Sequence, residues 1–239
     1  MPIVVLRTGD AVAEVAARRG EFSSWIAEHI GDAWTGAFSE HDARSDGPLP
    51  TLPATAIIVT GSSASVTERA AWMLRAEAWL REAVALDVPV LGICFGHQLL
   101  AQALGGMVAL NTRGREIGTV SVTGTTLAAS DALFGELPGA MAFNATHVDT
   151  VVTLPPGAEL LAHTPLERHA AFRVGRRAYG VQFHPEADGD ILRGYVRARE
   201  PALRSEGLAF EAIRDGIHDA PHGPRLLRSF VRNVVGRSA

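Results

Sequence analysis

The chain has 239 residues, 47% of them hydrophobic and 20% charged, and a net charge of −4, which suits a soluble globular protein and argues against nucleic acid as its main partner. A single cysteine excludes an internal disulfide and fits a reducing cytoplasm, and no stretch approaches the roughly 18 uninterrupted apolar residues of a membrane span. All 22 basic residues are arginine, which excludes lysine Schiff-base chemistry and a lysine-bearing phosphate loop.

In chain order, PIVVLR (2–7) predicts a buried first strand. Phe22, Trp25, Ile26 and Ile30 share one face of a short helix over 22–30. The prolines and glycine of DGPLPTLP (46–53) predict a loop, and AIIVTG (56–61) a second strand ending in a glycine turn. Thr67 with Glu68 predicts the start of a long helix to about Leu86, with Trp72, Leu74, Trp79 and Leu80 on its apolar side. VPVLGI (88–93) is a third strand and HQLLAQAL (97–104) the helix after it. This alternation predicts a parallel sheet covered on both faces.

Between Met107 and Phe183 the pattern changes to short β-like runs, among them VSVTGTTL, MAFNATHVDTVV, AELLAHT, HAAFRVG and RAYGVQFH. Their glycine and proline turns predict antiparallel strands appended to the parallel sheet. After Pro185 the chain reads as helical. Leu226, Leu227, Phe230, Val231, Val234 and Val235 form an apolar stripe, expected either to pack on the rest of the chain or to dock a partner.

Cys94 sits in Gly-Ile-Cys-Phe-Gly, between Gly92 and Gly96, where a strand gives way to a helix. This is the thiol form of a nucleophile elbow, in which a sharp turn projects a reactive side chain. The helix that follows offers unpaired amide hydrogens and its positive end, both of which favour a thiolate. The competing reading is a buried structural cysteine.

A thiolate that attacks an acyl group needs a base. In YGVQFHPE (179–186), His184 ends a strand, and Glu186, two residues on, points the same way in extended backbone. A carboxylate on one ring nitrogen leaves the other free for the thiol and leaving group. The alternative is an exposed strand end with an incidental glutamate. An oxyanion would be met by the amide of Phe95 and by the glycine turn of TGSSASV (60–66), which also reads as a simple capped turn.

PVLGICFGHQLLAQALGG (89–106), YGVQFHPE and GSSASV, in this order and at these separations, resemble the class I (triad) glutamine amidotransferase family. The likeness is to free-standing members related to the amidotransferase domain of GMP synthetase, and GREIGTVSVT (114–123) and HVDTVVTLPPGAELLAHT (147–164) extend it over about 1–187. The resemblance implies Cys94 as nucleophile, His184 as base and acid, and Glu186 as orienting carboxylate. It also implies Gly61 and Phe95 as backbone donors to the oxyanion, Ser62 and Gln98 at the substrate, and His147 near the segment that holds its amino-acid end. The chain departs from the family in having Gly61-Ser62-Ser63 where a proline often follows, so the loop is expected to set only when substrate or partner binds. The family's synthetase half is missing as well.

The expected architecture is therefore a three-layer α/β sandwich with a mixed, mainly parallel, flavodoxin-like sheet over 1–187 and a helical C-terminal extension over 188–239 packed on it. The expected activity is hydrolysis of the side-chain amide of glutamine, with a synthetase in trans as one destination for ammonia and with no metal or organic cofactor. A γ-glutamyl peptidase using the same three residues, and a non-catalytic regulatory subunit that keeps the fold, remain alternatives. The oligomeric state stays open.

Overall fold

Alternation along the first strand sets up the two faces of the molecule. In β1 (Ile3–Arg7), Ile3 and Val5 join one apolar cluster while Val4 and Leu6 join another on the opposite side. The computed structural model describes residues 1–236, so the last three positions of the expected 188–239 extension lie outside the described residues.

After β1 come α1 (Ala13–Arg19), α2 (Phe22–Ile30), β2 (Phe38–Asp42), β3 (Ala56–Val59), α3 (Ala71–Ala85), β4 (Val90–Ile93) and α4 (Phe95–Ala103). The middle supplies β5 (Met107–Leu110), β6 (Glu116–Gly124), β7 (Ala140–His147), β8 (Asp149–Thr153), β9 (Glu159–His163), β10 (Ala171–Val174) and β11 (Ala178–Val181). Helices α5 (Gly189–Ala198), α6 (Glu200–Ser205), α7 (Phe210–Asp215) and α8 (His222–Ser229) follow, and α8 runs into a π-helical turn, Phe230–Val235.

Strands β2, β1, β3, β4 and β11 lie side by side in parallel. Beyond β11 the sheet continues antiparallel through β10, β9, β6 and β7, while β5 and β8 form a separate antiparallel pair. Helices α3 and α4 cover one face of the sheet; α2, α8 and the π-helical turn cover the other. The result is the expected mixed, mainly parallel α/β sandwich. Loops after β1, β3, β4 and β11 all emerge at the carboxyl edge of the parallel strands, where such sheets bind their ligands.

Several local expectations need correction. Ser65 and Glu68 form a capping box on a single 3₁₀ turn, Val66–Glu68, and Arg69 at φ 54° breaks the path, so α3 starts only at Ala71. Leu74 is 43% exposed, and the buried face of α3 instead carries Met73, Ala76, Glu77, Trp79, Leu80 and Ala83. Strand β11 stops at Val181, and His184 lies beyond it in an isolated bridge to Asn144. The run MAFNATHVDTVV breaks at Val148 and feeds two different sheets. Helix α1 and the polar edge strand β2 escape the sequence pattern. An edge strand is held through its backbone and needs little apolar content.

The C-terminal apolar stripe is buried by the chain itself. Leu226, Leu227, Phe230, Val231, Val234 and Val235 are each at most 5% exposed, in the cluster that holds Ile3, Ile26, Ile30 and Ile58. Packing, rather than docking of a partner, occupies it. Phe230→Ala should lower unfolding free energy by about 3–5 kcal/mol in urea titrations. An unchanged midpoint would remove this segment from the core.

Candidate active site

Cys94 occupies the turn between β4 and α4 with φ 53° and ψ −101°, a conformation that costs a non-glycine residue about 1–3 kcal/mol. The surroundings hold it there. The Cys94 N–H donates to the Val181 carbonyl at 2.8 Å, and the Gly96 N–H donates to the Thr60 carbonyl at 3.2 Å. A Cβ at Gly92 would lie 2.3 Å from the Gly96 carbonyl oxygen, and one at Gly96 would lie 2.4 Å from the Val59 carbonyl oxygen. Only glycine allows β4, β3 and α4 to approach this closely.

His184 is brought to the same edge by β11 and fixed from β7. Its N–H donates to the Asn144 carbonyl at 2.8 Å, and Asn144 Nδ2 donates to the Ala187 carbonyl at 2.9 Å. His184 Nδ1 donates to Glu186 Oε1 at 2.8 Å, with Glu186 fully buried. With Nδ1 committed to Glu186, buried Nε2 is left to Cys94, whose Sγ also contacts the Thr146 carbonyl at 3.8 Å.

The electrostatics favour an ion pair. Burial pushes the Cys94 thiol up, but the neighbouring His184 charge and hydrogen bond, with a smaller contribution from His147, more than reverse this and leave the thiol below its ordinary value. Burial pushes His184 down, and the charges of Glu186 and Cys94 overcome it, raising the imidazole to about 10.

His147 does not turn its side chain toward open space. Its Nδ1 donates to the Asp149 carbonyl at 2.9 Å and its Nε2 donates to Glu116 at 3.1 Å, while Glu116 also accepts from the Thr164 hydroxyl. Two acceptors on the two ring nitrogens favour the imidazolium. Burial opposes that state, but the Glu116 bond and the Cys94 and Glu167 charges raise the group above its ordinary value. The network pins the segment Thr146–Asp149 beside Cys94.

Two connected hollows flank Cys94. One, of about 300 Å³, is lined by Asp10, Phe22, Ser62, Thr146, His184 and Tyr195; the other, of about 360 Å³, by Phe95, Gln98, Arg115, His147, Val148 and Asp149. Ser62, Ser63, Cys94, Thr146 and Arg199 border both. Each is at the low end of small-molecule site volumes. Gln98 reaches its hollow with both amide hydrogens committed, to the Asp149 carbonyl and to Gln182 Oε1, each at 3.0 Å. Only its carbonyl oxygen is left to face a ligand. Gly61 lies against His184: a Cβ there would be 3.1 Å from Cε1. Thr8 holds the loop after β3, its hydroxyl donating within 2.9 Å of the Thr60 carbonyl and 3.1 Å of the Gly61 carbonyl.

The structure thus brings Cys94, His184, Glu186, Gly61, Phe95, Ser62 and Gln98 to one edge, with His147 in the layer behind. Sequence reasoning missed Thr8, Asn144, Thr146, Tyr195 and Arg199. Asn144 had a signal, a polar residue among the apolar positions of MAFNATH; Tyr195 and Arg199 had none, being ordinary residues of an amphipathic helix. Among the described residues, no group of three or more His, Cys, Asp or Glu side chains is arranged to hold a metal ion, and no helix is long and apolar enough to cross a membrane.

Comparison with known proteins shows the family of the chain. The sequence model of the family described as glutamine amidotransferase class-I matches residues 39–193. The glutamine-hydrolysing GMP synthase of Staphylococcus epidermidis is 38% identical over 147 residues, and that of Staphylococcus aureus 37%. Either alignment covers 59% of this chain and 27% of the relative, so the chain spans about a quarter of the length of these curated relatives. A glutamine amidotransferase from Thermotoga maritima shares the fold with TM-score 0.78 and 22% identity, over 98% of this chain and 99% of that one. One from Methylobacillus flagellatus does so with TM-score 0.75 and 23% identity, over 98% and 94%. With the family match extending over more than half of its residues, the chain belongs to the class-I glutamine amidotransferase family.

Proposed function

We propose that the chain hydrolyses the side-chain amide of glutamine, or of a γ-glutamyl compound, through a thioester on Cys94. One observation carries this reading: a thiol on a strained turn, at the junction of two hollows, beside a buried His184–Glu186 pair whose second ring nitrogen is left to the thiol. In the first half-reaction the Cys94 thiolate adds to the amide carbon. The carbonyl oxygen gains the negative charge and meets the N–H of Phe95, which as the first residue of α4 has no acceptor within the helix, together with the N–H of Gly61. His184 Nε2–H protonates the departing nitrogen, the C–N bond breaks, and ammonia or an amine leaves. In the second half-reaction His184 takes a proton from water, hydroxide adds to the thioester, and glutamate departs as the thiolate re-forms.

Gln98 offers its carbonyl oxygen to the ammonium group of the glutamyl half, and Ser62 borders the same space. Glu186 keeps the imidazole in one tautomer and supports its positive charge. Ammonia is handed to a separate synthetase where one is present, since the aligned relatives carry about three quarters of their length outside the match. The hollow on the Phe22 and Tyr195 side favours the second reading, a γ-glutamyl hydrolase whose amine half is larger than ammonia. Steady-state assays against glutamine and γ-glutamyl dipeptides separate the two, and absence of both turnover and Cys94 labelling would indicate the non-catalytic alternative.

Cys94→Ala should cut amide hydrolysis by about 10⁴-fold or more while the far-ultraviolet spectrum stays unchanged. Hydrolysis at the parental rate would end the proposed mechanism.

The pH profile of kcat/KM tests the pair. As pH falls through the lowered Cys94 value the thiolate is lost, and as pH rises through about 10 the His184 acid is lost, so the profile should be a broad bell. Glu186→Gln withdraws the charge that raises His184, and the alkaline limb should move down by about one unit or more, with kcat at least about tenfold lower. An unmoved alkaline limb at full kcat would make Glu186 incidental.

A further inference from the structure

The helices after Glu186 bring one more charge to the site. Arg199 closes α5, its N–H donating to the Tyr195 and Val196 carbonyls at 3.2 and 3.1 Å. Its half-buried side chain borders both hollows around Cys94. The guanidinium lies over the Tyr195 ring, 4.9 Å from the centroid, and makes one long contact of 3.5 Å to the Tyr195 carbonyl. Tyr195 is itself held edge-on by Trp25, with ring centroids 6.5 Å apart. Burial holds the guanidinium below its ordinary value, and the Cys94 charge is among the few influences that raise it.

The other charged side chains at or just behind the cavity have hydrogen-bonding partners. Asp10 pairs with Arg7 and Arg44 at 2.8 and 2.7 Å, and Arg115 forms a two-pronged pair with Glu206 at 2.9 and 2.7 Å. Asp149 accepts from the Ser65 hydroxyl, and Glu186 from His184. Among the described residues Arg199 has no carboxylate partner. A planar cation fixed on an aromatic face, partly stripped of water and lacking a counter-ion, is prepared for a two-pronged anion.

We propose that Arg199 binds a carboxylate of the substrate, so that the C-terminal helices complete the active site as well as covering the sheet. The assignment rests on the γ-glutamyl amide reading above. Every γ-glutamyl substrate carries an α-carboxylate, which would lie in the Gln98 hollow. A dipeptide carries a second carboxylate on its amine half, which would lie on the Tyr195 side. Both present the same chemistry to Arg199.

The experiment compares the parental chain with Arg199→Ala and Arg199→Lys. Cys94 alkylation is timed with a glutamine-derived diazo-ketone, which carries the α-carboxylate, and with iodoacetamide, which carries none; KM and kcat are measured for glutamine, γ-glutamylethylamide and γ-glutamylglycine. Binding of the α-carboxylate predicts that Arg199→Ala slows the diazo-ketone by about 10- to 100-fold, leaves iodoacetamide nearly unchanged, and raises all three KM values more than it lowers kcat. Binding of the amine-half carboxylate predicts a rise of that size in KM for γ-glutamylglycine alone. In either case Arg199→Lys should recover part of the loss. Equal changes with both alkylating reagents, or no selective change in any KM, would overturn the assignment. A parental chain that is alkylated yet turns over none of the amides would remove the hydrolase reading instead, and the two alkylation rates alone would then decide Arg199.

Discussion

The site depends on one backbone turn. Cys94 can hold a positive φ only because Gly92 and Gly96 let β4, β3 and α4 press together, and that contact leaves no room for a single added carbon. The same turn places the first free amide of α4, the sulfur and the end of β11 within one small volume. The hydrogen bond from Cys94 to Val181 ties the elbow to the strand that leads to His184, so the two side chains are registered through the sheet rather than through a flexible loop.

Charge is arranged in layers around that turn. The sulfur faces the buried imidazole of His184 and feels the charge of His147 in the layer behind, and each ring has a carboxylate partner, Glu186 and Glu116 respectively. Desolvation alone would neutralise every one of these groups, and it is the largest single influence on Cys94, His147 and His184. The pairings reverse it for all three. His97 shows the other outcome: buried against Phe172, with no carboxylate partner among the described residues, it is driven down to about 3, which favours the neutral ring. Burial depth is similar for the four groups, so the presence of a counter-charge decides which of them ionise.

How much of this can be read from the sequence follows the same physics. Cys94 was legible because an elbow needs its flanking glycines, a short-range constraint; the nearness of Glu186 to His184 was expected from extended backbone, but the two meet across a turn in which the Ala187 N–H donates to the His184 carbonyl at 3.3 Å. The buried strands were legible as continuous apolar runs, and Phe22, Trp25, Ile26 and Ile30 as one face of α2. Strand β2 was not legible, since FSEHD meets no apolar demand at the sheet edge. The start of α3 was misread because Ser65 and Glu68 cap one isolated turn and the αL residue Arg69 interrupts the path. Arg199, Tyr195 and Asn144 reach the site through tertiary packing from remote segments, and no local rule marks them.

The central claim is that Cys94 is held as a thiolate by His184. The direct measurement is the pH titration of thiolate absorbance for the single cysteine of this chain, in the parental protein and in His184→Ala. The account predicts ionisation below the ordinary thiol range in the parental protein, and a return to that range or above it once the imidazole is removed. A parental thiol that ionises at or above its ordinary value, or one whose titration ignores the loss of His184, would contradict it.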